Sequence, residues 1–323
     1  MKKIVIYVIG VMLGLSLGSC SSESSEQAAI DMSGFQFKGI ILPSEYESTT
    51  RAYIQNDYDC TPVWQLGDVV GVFATTGPQQ SQVEYVVNEV EGTECKFTPG
   101  SYFNRPGFEF ASYFPLQEKY LRYNSNIELS LAGQCQKLNN STAGLTDFLF
   151  FVAPPTTPKD SVTFYFEYSR FWSLVCTDFT MPKAGTWKKL IVKAPTDCSF
   201  HENIKYNFAK DGGAGITESD NVGSITLTLG ENGEGITTAS GENLKLFMFI
   251  CPTEMTGKDI DVEVVDDNGI VYSCTISGKK ASGGDKSFFK ANTIYDFIGS
   301  PEKSGNIDDI TGTGSNFNTK RTE

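Results

Sequence analysis

Hydrophobic positions in this chain recur mostly with a period of two. "FEFASYFP" (108–115), "SVTFYFEYS" (161–169) and "SITLTLG" (224–230) alternate or nearly so and are rich in β-branched and aromatic residues. That is the pattern of strands with one face in a core. "DFLFFVAP" (147–154) and "LKLFMFICP" (244–252) are short apolar runs closed by proline, as in strands covered on both faces. In "DVEVVDDNGIVYSCTIS" (261–277) two alternating runs flank Asn268-Gly269, which predicts a hairpin with a type I′ turn. No 12-residue window carries helical periodicity. The pattern therefore predicts an all-β fold of two antiparallel β-sandwich domains in tandem.

The beginning of the chain has a different pattern. Met1-Lys2-Lys3 precedes an apolar run from Ile4 to Leu17. As a helix this run would be about 21 Å long, short of the roughly 30 Å hydrocarbon core of a membrane. A charged start, a short apolar middle and small residues at the end make an export signal over residues 1–19. Leu17-Gly18-Ser19-Cys20 resembles the lipobox of bacterial lipoproteins, in which the cysteine is acylated and becomes the first residue of the mature chain. The polar run Ser21 to Gln27 then reads as a flexible tether, over residues 20–30. Acyl chains stabilise membrane attachment by about 0.8 kcal/mol per buried methylene, so lipidated Cys20 is the expected contact with the outer membrane.

Beyond the tether, the predicted domains cover residues 31–154 and 155–299, divided at "APPTTPKD" (153–160). Three prolines in eight residues are expected to stop a sheet interior and stiffen a connector. From Pro301 the chain has only Ile307, Ile310 and Phe317 as large apolar residues, so residues 300–323 are expected to be a polar tail.

Charge narrows the class of partner. The chain has 26 basic and 39 acidic residues, a net charge of −13. Loss of Lys2 and Lys3 with the signal leaves 24 basic residues and a charge of −15. Such a surface repels nucleic acid, which is excluded as a partner. Seven cysteines follow Cys20, an odd number at spacings that match no zinc ligand set. Most are expected to be small buried hydrophobes, with any pairing left open.

Candidate chemistry is sparse, and neither catalysis nor a metal or other cofactor is expected. His201 is the one histidine, and no serine sits in a G-x-S-x-G elbow. Cys198 lies three residues from it, but nucleophile and base are recognised by geometry and not by proximity in sequence. "DGGAGITESD" (211–220) and "GENGEG" (230–235) read as loops, and Asp266-Asp267 as turn chemistry. Trp64, Phe73, Phe110, Phe114, Phe164 and Phe166 occupy alternating positions and are expected in the core.

One region is more specific. In "TTRAYIQNDYDCTPVWQLGDVVGVFAT" (49–75), Trp64, Gly67, Asp68, Val70, Gly71, Val72 and Phe73 follow a threonine-rich stretch ending in Arg51. The segment resembles the amino-terminal domain of the fimbrillin family, lipoprotein pilins and pilin-like proteins of Bacteroides-type bacteria. Phe110 to Pro115, Asp147 to Phe150 and "FFKANTIYDFI" (288–298) resemble later family segments. Read physically, Gly67-Asp68 supplies a turn over Trp64, and Val70, Val72 and Phe73 continue a strand.

The resemblance implies two transthyretin-like sandwiches whose first strand is cut away after an arginine. A strand from another subunit then fills the vacated groove. "SGFQFKGIIL" (33–42), with Phe35, Phe37 and Ile41 near period two, reads as that first strand, and Arg51-Ala52 matches the cleavage position. The expected role is a structural or adhesive subunit, or a tip or base component, of an outer-membrane fimbria. Its partners would be other pilin subunits and a host or bacterial surface ligand. The alternative is a surface lipoprotein that binds glycan or host protein without polymerising.

Overall fold

Alternation along the sequence becomes alternation of burial. Strand β10 (Thr163–Arg170) buries Phe164, Phe166, Tyr168 and Arg170 and turns the intervening residues outward. The computed structural model describes residues 35–48, 63–75, 82–99, 109–117, 126–142, 144–160, 162–208, 215–280 and 284–306, all within one compact unit of residues 32–323. Strands dominate these residues, and the only helical elements described are 3₁₀ turns.

The first sheet closes on itself as a barrel. Around it run β1 (Gln36–Ile41), β10, β9 (Phe151–Thr156), β6 (Phe110–Phe114), β3 (Val69–Ala74), β4 (Gln82–Glu91) and β5 (Glu94–Pro99), which pairs back to β1. Its interior holds Phe37, Trp64, Val70, Val72, Tyr85, Phe97, Phe110, Phe164, Phe166 and Tyr168.

A second core lies between two further sheets. One has the order β17 (Asn243–Ile250), β11 (Ser173–Thr180), β22 (Thr293–Gly299), β2 (Glu45–Ser48). The other runs β23 (Glu302–Asn306), β20 (Ile270–Ile276), β19 (Ile260–Asp266), β12 (Gly185–Lys193), β15 (Ser224–Leu229), β8 (Cys135–Gln136), with β16 (Ile236–Thr238) also pairing β12. Leu174, Val175, Leu246, Met248 and Tyr295 of the first belong to the same core as Trp187, Leu190, Ile225, Leu227 and Val264 of the second. Two smaller sheets complete the fold: β14 (Gly215–Ser219), β13 (Asn203–Asn207) and β7 (Asn126–Ser130), and the pair β18 (Met255–Thr256) and β21 (Ser287–Phe288).

Strands β3 and β6 separate the two cores. Val70, Val72 and Ala74 enter the barrel core, while Phe73 enters the second core. Across from them, Phe110 lies in the first core and Ala111 and Tyr113 in the second. A strand covered on both faces reads as a continuous apolar run, as "VVGVFA" does.

The structure corrects several expectations. The first sheet is a closed barrel, and four pairings (β1–β10, β11–β22, β2–β22 and β8–β15) are parallel. The proline-rich stretch does not stop the sheet: β9 runs through Pro154 and Pro155, between β6 and β10. Its ladder survives because β9 bonds β10 only at its first two residues, ahead of the prolines that lack an N–H. Residues after the prolines return to the barrel as β10, and the following strand, β11, lies in the second core.

The hairpin forms where expected, with a different turn. Gly269 has a φ of 74°, but Asn268 lacks the positive φ that a type I′ turn requires. Asp266 sets the geometry instead, its carboxylate Oδ1 accepting the amides of Asn268 and Ile270 at 2.9 Å each. Part of one glycine-rich "loop" is strand β14. The polar tail begins with strand β23, which pairs with β20 through backbone groups and needs no apolar side chains of its own. Residues 307–323 lie outside the described residues.

Candidate functional site

The first strand, at the described start of the chain, joins both sheet systems. Strand β1 lies between β10, to which it is parallel, and β5, to which it is antiparallel. Hydrogen bonds at its ends run from Gln36 N to Val162 O (2.8 Å), from Ile41 N to Thr93 O (3.0 Å) and from Leu42 N to Tyr168 O (2.8 Å). Phe37, Gly39 and Ile41 point inward while Lys38 and Ile40 are half-buried. The ring of Phe37 stacks on Phe164 at 5.2 Å and tilts against Tyr85 at 4.7 Å. Phe35, half-buried just before the strand, packs on Phe164 at 5.7 Å.

Gly39 is required by space. A Cβ there would fall 2.8 to 2.9 Å from the rings of Phe97 and Tyr168, inside any ordinary carbon contact. Opposite Gly39 on β5 is Cys95, whose thiol burial pushes up to about 12. It therefore stays protonated and acts as a small hydrophobe. Burial likewise raises the Tyr168 hydroxyl well above the usual phenol range, and that hydroxyl pairs with Ser112 Oγ.

After β1 the chain crosses at Pro43-Ser44 and continues as β2, which pairs in parallel with β22 of the second system. Asn292 clasps this crossing. Its Oδ1 accepts Ser44 Oγ (3.1 Å) and the backbone N–H of Arg170 (3.1 Å), and its Nδ2 donates to Pro43 O (3.0 Å). Asn292 sits at a φ of 55°, a left-handed conformation that glycine and asparagine tolerate best. Downstream of it on β22, opposite Ser48, lies Asp296, whose carboxyl burial pushes up to about 6.

The Trp64 motif supports the same slot. Trp64 is 4% exposed and meets Tyr168, Phe114 and Phe97 edge to face at 5.0, 5.4 and 5.7 Å. Gly67, with a φ of 90°, turns the chain. Asp68 Oδ2 accepts Gln65 N at 2.9 Å, and Gly67 N and Asp68 O bond the backbone of Val87. At Gly71 a Cβ would fall 2.4 Å from the Tyr113 ring, so the missing side chain makes room for that tyrosine. Phe73 is fully buried and meets Phe208 at 4.7 Å. Phe110, Phe164 and Phe166 are in the core as expected, and Phe114 is half-buried at its margin.

Cys20, Arg51, Ala52 and Cys60 lie outside the described residues. The other six cysteines form no disulfide, and Cys95, Cys176 and Cys251 are buried. A ring nitrogen of His201 engages the Asp220 backbone carbonyl, and the Asp220 carboxylate is taken by the amides of Glu202 and Asn203 and by Asn203 Nδ2. Cys198 packs beside Asp197, and burial raises its thiol. The structure does not join His201 and Cys198 to each other by any hydrogen bond. Sequence reasoning missed Asn292 as a clasp; its one signal was an asparagine opening "NTIY" in a segment noted for its strand.

A fimbrillin-like family model matches residues 50–316. No curated protein matches the chain. Among solved structures, a candidate cell adhesion protein from Bacteroides ovatus is 15% identical, with 84% of this chain and 94% of that one covered and a TM-score of 0.51. Another from Bacteroides uniformis is 14% identical over 75% of this chain and 90% of that one, with a TM-score of 0.49. A fimbrial protein from Bacteroides ovatus is 12% identical over 83% of this chain and 50% of that one, with a TM-score of 0.35. The family match covers most of the sequence and includes the Trp64 motif, so this chain belongs to the fimbrillin-like family.

Proposed function

We propose that the protein is a lipid-anchored structural or adhesive subunit of a fimbria on the outer membrane, made of two β-rich domains in tandem, each centred on one of the two cores. In this reading Cys20 carries the lipid. Cleavage between Arg51 and Ala52 frees the first strand, and a strand from another subunit replaces it. The observation that carries the reading is the seat of β1, a single strand between β10 and β5 with alternate side chains in the barrel core. Such a seat is filled by backbone hydrogen bonds plus side chains in alternate pockets, the arrangement used in strand addition.

A cut after Arg51 would separate from the rest of the chain a piece containing both β1 and β2. The piece would still be held without a covalent bond. Burial of Phe37 and Ile41 alone stabilises it by about 1.5–3 kcal/mol per side chain. An incoming strand therefore has to compete for the same pockets, and the pockets are unequal. The Phe37 site takes an aromatic ring, the Gly39 site takes nothing beyond a hydrogen, and the Ile41 site takes an aliphatic group.

The test is strand uptake after digestion with a trypsin-like protease. A labelled peptide of residues 33–42 is expected to bind the chain cut at Arg51 at least tenfold more tightly than its Gly39→Leu version. Absence of an Ala52 terminus after digestion, or equal binding of the two peptides, would contradict the reading. A second reading, a stand-alone surface binder, draws on an open groove of about 470 Å³ at β7, β13 and β14, lined by Glu128, Ser130, Asn203, Lys205, Glu218 and Asp220. Saturable glycan binding by the uncut chain would favour it.

A further inference from the structure

Strand β17 ends its four-stranded sheet, so its outward backbone groups have no neighbouring strand in that sheet. An edge of this kind invites another chain to pair. Here "LFMFI" (246–250) is buried throughout, an apolar edge strand with no charge to discourage pairing along that stretch. Yet Phe249 N and O, Phe247 N, Lys245 N and O and Asn243 O are each bonded to a side-chain amide.

Gln134 Oε1 accepts Phe249 N (2.8 Å), and its Nε2 donates to Phe249 O (2.8 Å). Gln136 Oε1 accepts Phe247 N (2.7 Å), and its Nε2 donates to Lys245 O (3.0 Å). Asn139 Oδ1 accepts Lys245 N (2.8 Å), and its Nδ2 donates to Asn243 O (3.0 Å). A side-chain amide carries the same carbonyl and N–H groups as a peptide unit. Three of them in series thus occupy three peptide positions of a neighbouring strand.

The backbone of the same segment is engaged elsewhere. Thr228 N donates to Gln134 O (2.9 Å) and Gly230 N to Gln136 O (2.8 Å), and β8 pairs in parallel with β15. Residues 134–139 therefore belong to one sheet by backbone and to the other by side chain, and they join the two sheets. Gln134 and Gln136 are completely buried. A fully buried glutamine costs free energy unless both ends of its amide are paired, and here both are.

We propose that residues 134–139 are a built-in substitute strand that closes the β17 edge against pairing with a second copy of this chain. With the substitute in place, strand addition to this sheet is confined to its opposite side, at β22, where β2 lies. With it removed, β17 accepts an extended strand of another copy along Asn243, Lys245, Phe247 and Phe249. The inference does not depend on whether β1 is ever released.

The test uses the full chain, uncut at Arg51, with Gln136→Ala and separately Asn139→Ala. Light scattering across a concentration series reads self-association, and hydrogen exchange reads the amides of Lys245, Phe247 and Phe249. In the parent those amides are expected to exchange as slowly as the amides of β11. Each folded variant is expected to self-associate at least tenfold more tightly than the parent. In Gln136→Ala the Phe247 amide exchanges faster at low concentration and slows on assembly, and in Asn139→Ala the Lys245 amide does so. Should Gln136→Ala not fold, Asn139→Ala decides, because its half-buried side chain lies at the end of the ladder and water can replace it. A folded variant that stays as monomeric as the parent would overturn the proposal. Fast exchange of Phe247 and Phe249 in the parent would overturn it too.

Discussion

Asn292 combines two properties that rarely matter together, a left-handed backbone and a side chain with three hydrogen-bond partners across the junction of β1, β2 and β10. Asn292→Ala loses both, and a combined cost of about 1–3 kcal/mol is expected. Asn292→Gly keeps the backbone and loses only the clasp, so it is expected to cost less in urea unfolding. In both variants residues 35–48 should become more open to proteases. Equal costs for the two variants would mean that the clasp, and not the conformation, holds the crossing.

Asp296 makes a separate prediction, about pH. Burial holds its folded pKa at about 6, above the ordinary aspartate value of 3.8. A raised folded pKa means that the folded chain prefers the protonated form. The stability this contributes is fully present below about pH 4 and lost as pH rises through about 6. Asp296→Asn, which stays neutral, is therefore expected to be more stable than the parent at pH 7, by about 1–3 kcal/mol. The difference should vanish near pH 4. Asp197 is shifted the other way by its hydrogen bond from Lys258, and at Asp220 and Asp266 burial, which would raise the pKa, is outweighed by hydrogen bonds from Asn203 and Glu202 and from Lys183, Ile270 and Asn268. Their contribution is present above about pH 4 and lost as pH falls further.

Among the elements, the strands were legible where one face meets a core and the other meets water or a second core. Strands β6, β10 and β15 and the β19–β20 hairpin all follow from alternation. What alternation does not encode is the pairing. Nothing in "SGFQFKGIIL" requires its parallel pairing with β10, and nothing in "PPT" announces a barrel strand, because an edge or a shifted register can spare a proline its missing N–H. Strand β23 was invisible because its side chains are polar and its stabilisation comes from the backbone. The amide ladder escaped notice for a related reason: Gln134, Gln136 and Asn139 read as an ordinary polar loop until β17 is set beside them. Loss of the Phe37 ring gives the element-scale test. Phe37→Ala is expected to cost about 3–5 kcal/mol, as for other buried aromatic rings. Hydrogen exchange should then quicken in β1, β5 and β10, and the amides of β12 and β19 in the second core should keep their protection. Uniform loss of protection would show that the two cores unfold together.

At the scale of the whole molecule, two cores share the wall formed by β3 and β6, and the described start of the chain reaches both sheet systems through β1 and β2. A net charge of −13 sets up repulsion between such a surface and other polyanions. The Trp64 motif, read from sequence as scaffold, packs beside the slot that β1 fills, with the Trp64 ring against Tyr168 of β10. The measurement that tests the central claim most directly is the amino terminus of the mature protein, read by mass spectrometry from native outer membrane. The account predicts an acylated Cys20 on the exported precursor and a terminus at Ala52 on chains in fibres. Chains in fibres that all retain an acylated Cys20 with β1 still attached would contradict strand removal. They would leave a base subunit in its place.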